Sequence, residues 1–368
     1  MKVGVVTFHN AHNYGASLQT WALQKVLKNL GTEPGVIHYH PNIIDKLYVA
    51  PKLDTTKKKL KYMLKKDYRS RIKSQVYKNK RYNKFIREKF HLIGDYTTYE
   101  ELLNANLSLD AYITGSDQVW NSDHTGGFDP AYTLDFAKPG TKKISYAASV
   151  GREYILPQYR EQFRQSLESY TAISVREPSA QPAIEALTEK PVEVVLDPTL
   201  LLEKKDYEEL KRPGQFKGRY IMVYMMEANK ELVQFANRLS VAIGLPIIQR
   251  KLPGVFRNEL GSYYEDTAAE FLGEIEKAEY VITNSFHATV FSLIYEKPFI
   301  SMLHTSTGAR TSDLLKSVGL ESHLLYHIED FHDMKQFEID DVDALRQRIR
   351  ELRASSLDFL KRALEIKK

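Results

Sequence analysis

Short apolar, strand-like runs alternate with helical patterns along almost the whole chain, and this alternation restricts the fold more than any other feature. One set of runs covers residues 3–8, 36–39, 111–115, 143–148, 172–175 and 192–196. A second set, residues 220–225, 246–249, 280–283 and 299–303, follows Leu202. Helical patterns such as 230–243 and 267–278 separate them. Strands alternating with helices build βαβ units, hence parallel sheets with helices on both faces. A chain of 368 residues is too long for one simple core. The expectation is therefore two doubly wound, Rossmann-like α/β domains, 1–202 and 203–368, facing each other across a cleft. Asp197-Pro-Thr199 is expected as a turn on the hinge side of their junction. From Asp341, Val342, Leu345, Ile349, Leu352, Leu357, Leu360 and Leu364 recur at mostly helical steps. They predict a closing amphipathic helix that packs back across the domains, with Asp341 and Asp343 at its start as caps rather than metal ligands.

Composition removes several classes of chemistry. The chain has no cysteine, which excludes disulfides, Cys-ligated zinc, iron–sulfur clusters and a thiol nucleophile. That fits a cytoplasmic protein. The first residues, Met1-Lys-Val-Gly-Val-Val-Thr-Phe8, read as a strand rather than a signal peptide, and no apolar run is long enough to span a bilayer. The net charge of +5 conceals an asymmetry. Residues 57–89 hold fifteen Lys and Arg against Asp67 and Glu88, a net +13, which leaves −8 elsewhere. One or two basic amphipathic helices are expected there, inserted into the N-terminal domain over about residues 57–90. A nucleic-acid protein would spread its basic residues over a reading face, so no nucleic acid is expected. The segment suits peripheral contact with an anionic membrane surface, or else is a solvated face that balances the acidic remainder.

In parallel α/β sheets, ligands bind outside the carboxyl ends of the strands, where helix N-termini point. The stretch Tyr280-Val-Ile-Thr-Asn-Ser-Phe-His287 reads as strand, polar turn and helix start, placing Ser285 and His287 at such an end. The loop after the first strand holds Asn13, Tyr14 and Gly15 at another helix start, a candidate anion or sugar site. His9 and His12 in that loop lack helical i, i+4 spacing, and no metal site is expected. Gly115-Ser-Asp-Gln-Val-Trp-Asn121 follows a third strand: Ser116 and Gln118 offer hydrogen bonds, Asp117 a general base, Trp120 a face for a sugar ring. Arg176, after an apolar run, offers a bidentate fork to carboxylate or phosphate. Arg310, in a small-residue loop, could do the same. Ordinary roles compete for each: a packing histidine at 287, a helix cap at Asp117, an ion pair of Arg176 with Glu177, a solvated Arg310. Neither a Walker loop nor Gly-x-Gly-x-x-Gly is present.

Taken together, Asn13-Tyr-Gly-Ala-Ser-Leu-Gln-Thr-Trp-Ala-Leu-Gln24, Gly115-Ser-Asp-Gln-Val-Trp-Asn121, Ser145-Tyr-Ala-Ala-Ser149, Ser174-Val-Arg-Glu177, Leu196-Asp-Pro-Thr199 and Asn284-Ser-Phe-His287 with Lys297-Pro298 resemble the polysaccharide pyruvyl transferase family. The pieces run in the family's order over about residues 1–320. The resemblance implies a fold like GT-B glycosyltransferases, with phosphoenolpyruvate in the cleft as donor substrate and no further cofactor. It implies transfer of a pyruvyl group onto sugar hydroxyls of a polysaccharide or its polyprenyl-pyrophosphate-linked precursor, forming a ketal and releasing phosphate. The family's histidine maps onto His287 and its N-domain arginine onto Arg176. Ser285-Phe286 stands where the family has Arg-Leu, and Arg310 is the nearest match to a basic residue that relatives carry after the histidine. Two other functions share the fold: a GT-B-type glycosyltransferase using a nucleotide sugar, and a non-catalytic saccharide-binding protein of a polysaccharide assembly system.

Overall fold

The computed structural model describes residues 1–48, 50, 53–249, 256, 258–262, 265–304 and 308–366. The first sheet contains β1 (Lys2–Val6), β2 (Glu33–Tyr39), β3 (Leu92–Tyr96), β4 (Ala111–Thr114), β5 (Lys142–Ala148), β6 (Ala172–Val175) and β7 (Val192–Val194). Its order is β3-β2-β1-β4-β5-β6-β7, with every pair parallel. The second sheet contains β8 (Ile221–Tyr224), β9 (Ile247–Gln249), β10 (Glu259–Ser262), β11 (Tyr280–Thr283), β12 (Phe299–Met302) and β13 (Leu324–Leu325). Its order, β10-β9-β8-β11-β12-β13, repeats the first, again all parallel. The central strands read as continuous apolar runs because helices cover both faces of a parallel sheet. Ala111–Thr114 and Ile221–Tyr224 are buried at every position.

In each sheet the winding reverses beside the first strand: between β1 and β4, and between β8 and β11. The carboxyl ends part there and leave a crevice. Helix α1 (Tyr14–Asn29), which leaves β1, is the wedge between the domains. Tyr14 stacks on Phe271 and Tyr224 of the second domain, with ring centroids 4.8 and 5.6 Å apart. A single apolar cluster consequently runs through both domains, from Val3 and Leu18 to Phe291 and Leu360.

Between β2 and β3 lie α2 (Asn42–Tyr48) and then the basic insert itself, two helices, α3 (Thr56–Leu64) and α4 (Lys66–Lys89). Helix α4 buries Ile72, Tyr82, Phe85 and Ile86, and its Arg81 reaches across to Glu270 at 2.6 Å. Helix α3 buries none of its residues and leaves Leu60, Met63 and Leu64 exposed. The C-terminal helix Val342–Ala363, capped by the Asp341 side chain on the Ala344 N–H at 2.8 Å, binds both domains. Arg346 pairs with Glu296 of the second, while Ser356, whose hydroxyl donates to the Leu352 carbonyl one turn back, accepts the Leu196 N–H of the first, where Arg362 also pairs with Glu193. Among the described residues, no helix is long and apolar enough to cross a membrane.

Candidate active site

The site grows from four strand ends. After β11, Ser285 caps the helix Phe286–Ile294 by accepting the Ala288 N–H at 3.4 Å. This sets His287 in the first turn, with only 11% of its side chain exposed. The ring lies against the backbone of Gly15 at the start of α1: a Cβ at residue 15 would stand 2.1 Å from Nδ1. Gly15 thus serves the site by its missing side chain, which lets the two domains close on the imidazole. The other nitrogen, Nε2, faces Asp197 Oδ2 at 3.6 Å and makes no hydrogen bond.

Asp197 is the hub, and it also caps the turn that its place before Pro198 predicts. Its Oδ2 accepts from Arg176 Nη1 at 2.9 Å and from Ser116 Oγ at 3.0 Å. Its Oδ1 accepts from Thr199 N and Oγ1 at 3.0 and 2.7 Å. Burial alone would raise this carboxyl, but His287, Arg176 and Thr199 together hold it well below the ordinary carboxylate range. The available signal was a charged residue closing the apolar run that precedes Pro198.

Arg176, at the end of β6, has 2% of its side chain exposed. Beyond Asp197 it faces Glu177 Oε2 at 3.7 Å and Asp117 Oδ1 at 3.9 Å. Nε and Nη2 are buried and make no hydrogen bond. Its guanidinium also lies 4.6 Å above the Phe286 ring, and that of Arg310 lies 5.7 Å from the same ring. The two cations therefore share one aromatic platform next to His287. Burial first, and the charge of Arg176 second, push Arg310 down to about 10. A small cleft is lined by Arg176, Glu177, Asp197, Phe286, Arg310 and residues of the C-terminal helix. Neither His287 nor Asp117 lines it.

Asp117 has φ +75°, a left-handed conformation that Asp tolerates better than most residues. It accepts the N–H of Gln118 at 2.9 Å, and 14% of its side chain is exposed. His124 and His304 complete the surroundings, both lowered by burial and both within electrostatic reach of Arg310. Nothing in their sequence context singled them out.

Several expected ligand contacts do not fit their positions. Trp120 is 2% exposed, donates its indole N–H to the Tyr132 carbonyl at 3.1 Å and packs edge-on against Phe163 and Tyr170. It is a core residue, without a free face for a sugar. Tyr14 is fully buried in the stack between the domains. Ser116 is spent on Asp197 and the Ala147 carbonyl, so it holds the loop rather than a ligand, while Gln118, half-buried, accepts from Asn121 at 2.8 Å through its side-chain carbonyl. Ser285 is the helix cap. Asn13 accepts the Gly15 N–H at 2.8 Å and stays partly exposed. His9 and His12 diverge, His12 bonding Asn79 and Asn83 of α4. Of the small-residue loop before Arg310, residues 305–307 lie outside the described residues.

Comparison with known proteins bears on the fold. Two solved structures share the fold across 100% of this chain and 97% of their own, each with TM-score 0.52: S. aureus MnaA with UDP at 12% identity, and a putative UDP-N-acetylglucosamine 2-epimerase from Listeria monocytogenes at 10%. At such identity the likeness concerns the fold, which is GT-B-like. No curated protein matches the chain at a significant level. The family model described as polysaccharide pyruvyl transferase matches residues 13–306, from the loop after β1 to the loop after β12, and so takes in Asp117, Arg176, Asp197 and His287. The chain is a transferase and belongs to the polysaccharide pyruvyl transferase family.

Proposed function

We propose that the protein transfers the pyruvyl group of phosphoenolpyruvate onto sugar hydroxyls. The observation that carries this reading is the pair of arginines on Phe286 beside His287, with buried Arg176 Nε and Nη2 and His287 Nε2 lacking hydrogen-bond partners. Buried polar atoms without partners are costly, and a small ligand with carboxylate and phosphate oxygens satisfies donors of this kind. Arg310 stands over the residue beside Ser285 and can supply the positive charge that an arginine at 285 would bring in relatives. The carboxylates of Asp117, Glu177 and Asp197 hold Arg176 in place.

In the reaction, His287 gives a proton to C3 of phosphoenolpyruvate, which turns the methylene into a methyl group and makes C2 electrophilic. A sugar hydroxyl attacks C2 and its proton passes to Asp117. The C2–O bond to phosphate then breaks, phosphate leaves with the bonding electrons, and a second hydroxyl closes the ketal as it loses its proton. The arginines stabilise the carboxylate and the departing phosphate. An acceptor carried on a polyprenyl pyrophosphate suits the basic insert, whose helix α3 presents Leu60, Met63 and Leu64 among lysines to a membrane surface. Such a protein works in the cytoplasm at the inner membrane face. The donor assignment is tested by calorimetric titration with phosphoenolpyruvate: wild type binds, while Arg310→Ala binds at least about tenfold more weakly. Equal affinity in the two proteins would remove Arg310 from the donor site.

A further inference from the structure

The geometry points to a divalent-metal site of the zinc class at His38, His40 and Asp95, apart from the catalytic cleft. His38 lies on β2 and His40 just beyond it, two positions apart, so both side chains emerge on one face of the strand. Asp95 lies on the neighbouring β3. One ligand atom from each of the three falls within 4.8 Å of the others. Among the described residues this is the one such grouping of three His, Asp or Glu ligand atoms.

The hydrogen bonds around these rings leave little freedom in where the protons sit. His9 is completely buried, and its Nδ1 faces the Thr7 carbonyl at 3.1 Å, an acceptor, so Nδ1 carries the proton. A buried imidazole with no carboxylate beside it is neutral. Its Nε2 is then an acceptor and takes the proton of His38 Nδ1 at 2.8 Å. This leaves the Nε2 lone pair of His38 directed at Asp95 Oδ1, 3.8 Å away. On His40, Nδ1 meets Asp45 Oδ2 at 2.8 Å and Nε2 meets the same Asp95 oxygen at 2.7 Å. Asp45 is itself fixed by the Asn10 amide at 2.7 Å. Once a metal displaces the His40 Nε2 proton, two imidazole lone pairs and a carboxylate converge while both Nδ1 atoms are engaged behind them. Metal-bound histidines are held in this way, with the second nitrogen donating to a carboxylate or another acceptor. A cation must lie among these groups. A protonated His40 bridges Asp45 and Asp95 but leaves His38 Nε2 at 3.8 Å from the shared carboxylate oxygen, whereas a metal about 2.0–2.1 Å from each nitrogen engages His38, His40 and Asp95 together.

Asp95, 75% exposed, can swing to close the triad and leaves one side open for water. Two imidazoles with one carboxylate suit zinc and its neighbours better than calcium or magnesium. His9 and Asn10 belong to the loop that joins β1 to α1, the helix that holds Gly15 against His287. A metal here would fix that loop from behind, as a structural ion.

The test uses the full chain without a polyhistidine tag, stripped with chelator and dialysed, then titrated with zinc chloride at neutral pH. One zinc per chain is expected, with thermal unfolding shifted upward in its presence. Asp95→Ala should fold, because the side chain is exposed, yet bind at least about tenfold more weakly and lose the thermal shift. Asp45→Asn should weaken binding by about 10–100-fold. His327→Ala, at a surface histidine far along the chain, should change nothing. Absence of stoichiometric zinc binding in wild type, or unchanged binding in Asp95→Ala, would overturn the site and leave a protonated His40 between two carboxylates.

Discussion

The contact between Gly15 and His287 gives the sharpest test of how the two domains build the site. An alanine methyl at position 15 would stand 2.1 Å from Nδ1, 2.4 Å from Cγ and 2.8 Å from Cε1. Ordinary contact starts near 3.5 Å, so the ring or α1 must retreat by roughly 1.4 Å. Overpacking of this kind costs about 1–3 kcal/mol. Because residue 15 is in the first turn of α1, alanine returns up to about 1 kcal/mol of helix propensity. Gly15→Ala should therefore lose about 1–2 kcal/mol by urea unfolding and on the order of a hundredfold in turnover, since a shift near 1 Å at a proton donor has that effect. In a His287→Ala background the same methyl enters the space left by the imidazole, and its cost should vanish. A cycle of the four proteins should show a coupling of about 1 kcal/mol or more. An equal cost in both backgrounds would refute the packing of the ring on Gly15.

Asp197→Asn puts an amide N–H or a weaker acceptor against Arg176 and Ser116 and leaves the guanidinium with Glu177 and Asp117 at 3.7 and 3.9 Å; it should cost about 3–5 kcal/mol by urea unfolding, and a loss under about 1 kcal/mol would deny it the role of hub. Asp266 is pushed up to about 7 by burial first, then by Glu270 and Glu274. It binds its proton more tightly folded than unfolded, so stability falls as pH rises from about 4 to about 7 and is flat above. Asp266→Asn should stabilise the protein at pH 8 by on the order of 3 kcal/mol and change little near pH 4, and a pH-independent effect would contradict that origin. Vesicles of anionic lipid should sediment the wild type at low salt, with release at high salt and on Lys57→Glu, Lys58→Glu, Lys61→Glu and Lys65→Glu together. Wild type remaining in the supernatant would make α3 ordinary surface.

The sequence made the central strands legible and left the edges obscure. Tyr280–Thr283 and Ala111–Thr114 sit between two neighbours with helices on both faces, so burial demands an unbroken apolar run. The three strands that were missed, Leu92–Tyr96, Glu259–Ser262 and Leu324–Leu325, all lie at or beside sheet edges. Two contain glycine and a charged residue, and the third has two residues, so no period could reveal them. The candidate site divides the same way. His287, Arg176 and Asp117 stood out as polar groups at strand ends. Trp120 and Tyr14 misled because an aromatic beside polar residues looks alike whether it faces a ligand or the next layer of core. Asp197 was hidden since its partners, Ser116, Arg176 and His287, come from three distant segments that only the folded chain assembles. The triad His38, His40 and Asp95 escaped notice for a related reason: its third member sits on an edge strand 55 residues beyond His40.

The most direct measurement is turnover itself: phosphate release from phosphoenolpyruvate by the purified protein against a panel of saccharide acceptors, with the sugar product examined by mass spectrometry and NMR. Phosphate should appear only when a suitable acceptor is present, in equal amount to a pyruvyl group held as a ketal, and His287→Ala should lower the rate by about a hundredfold or more while remaining folded. Acceptor modification from a nucleotide sugar with phosphoenolpyruvate untouched, or full turnover in His287→Ala, would contradict the account.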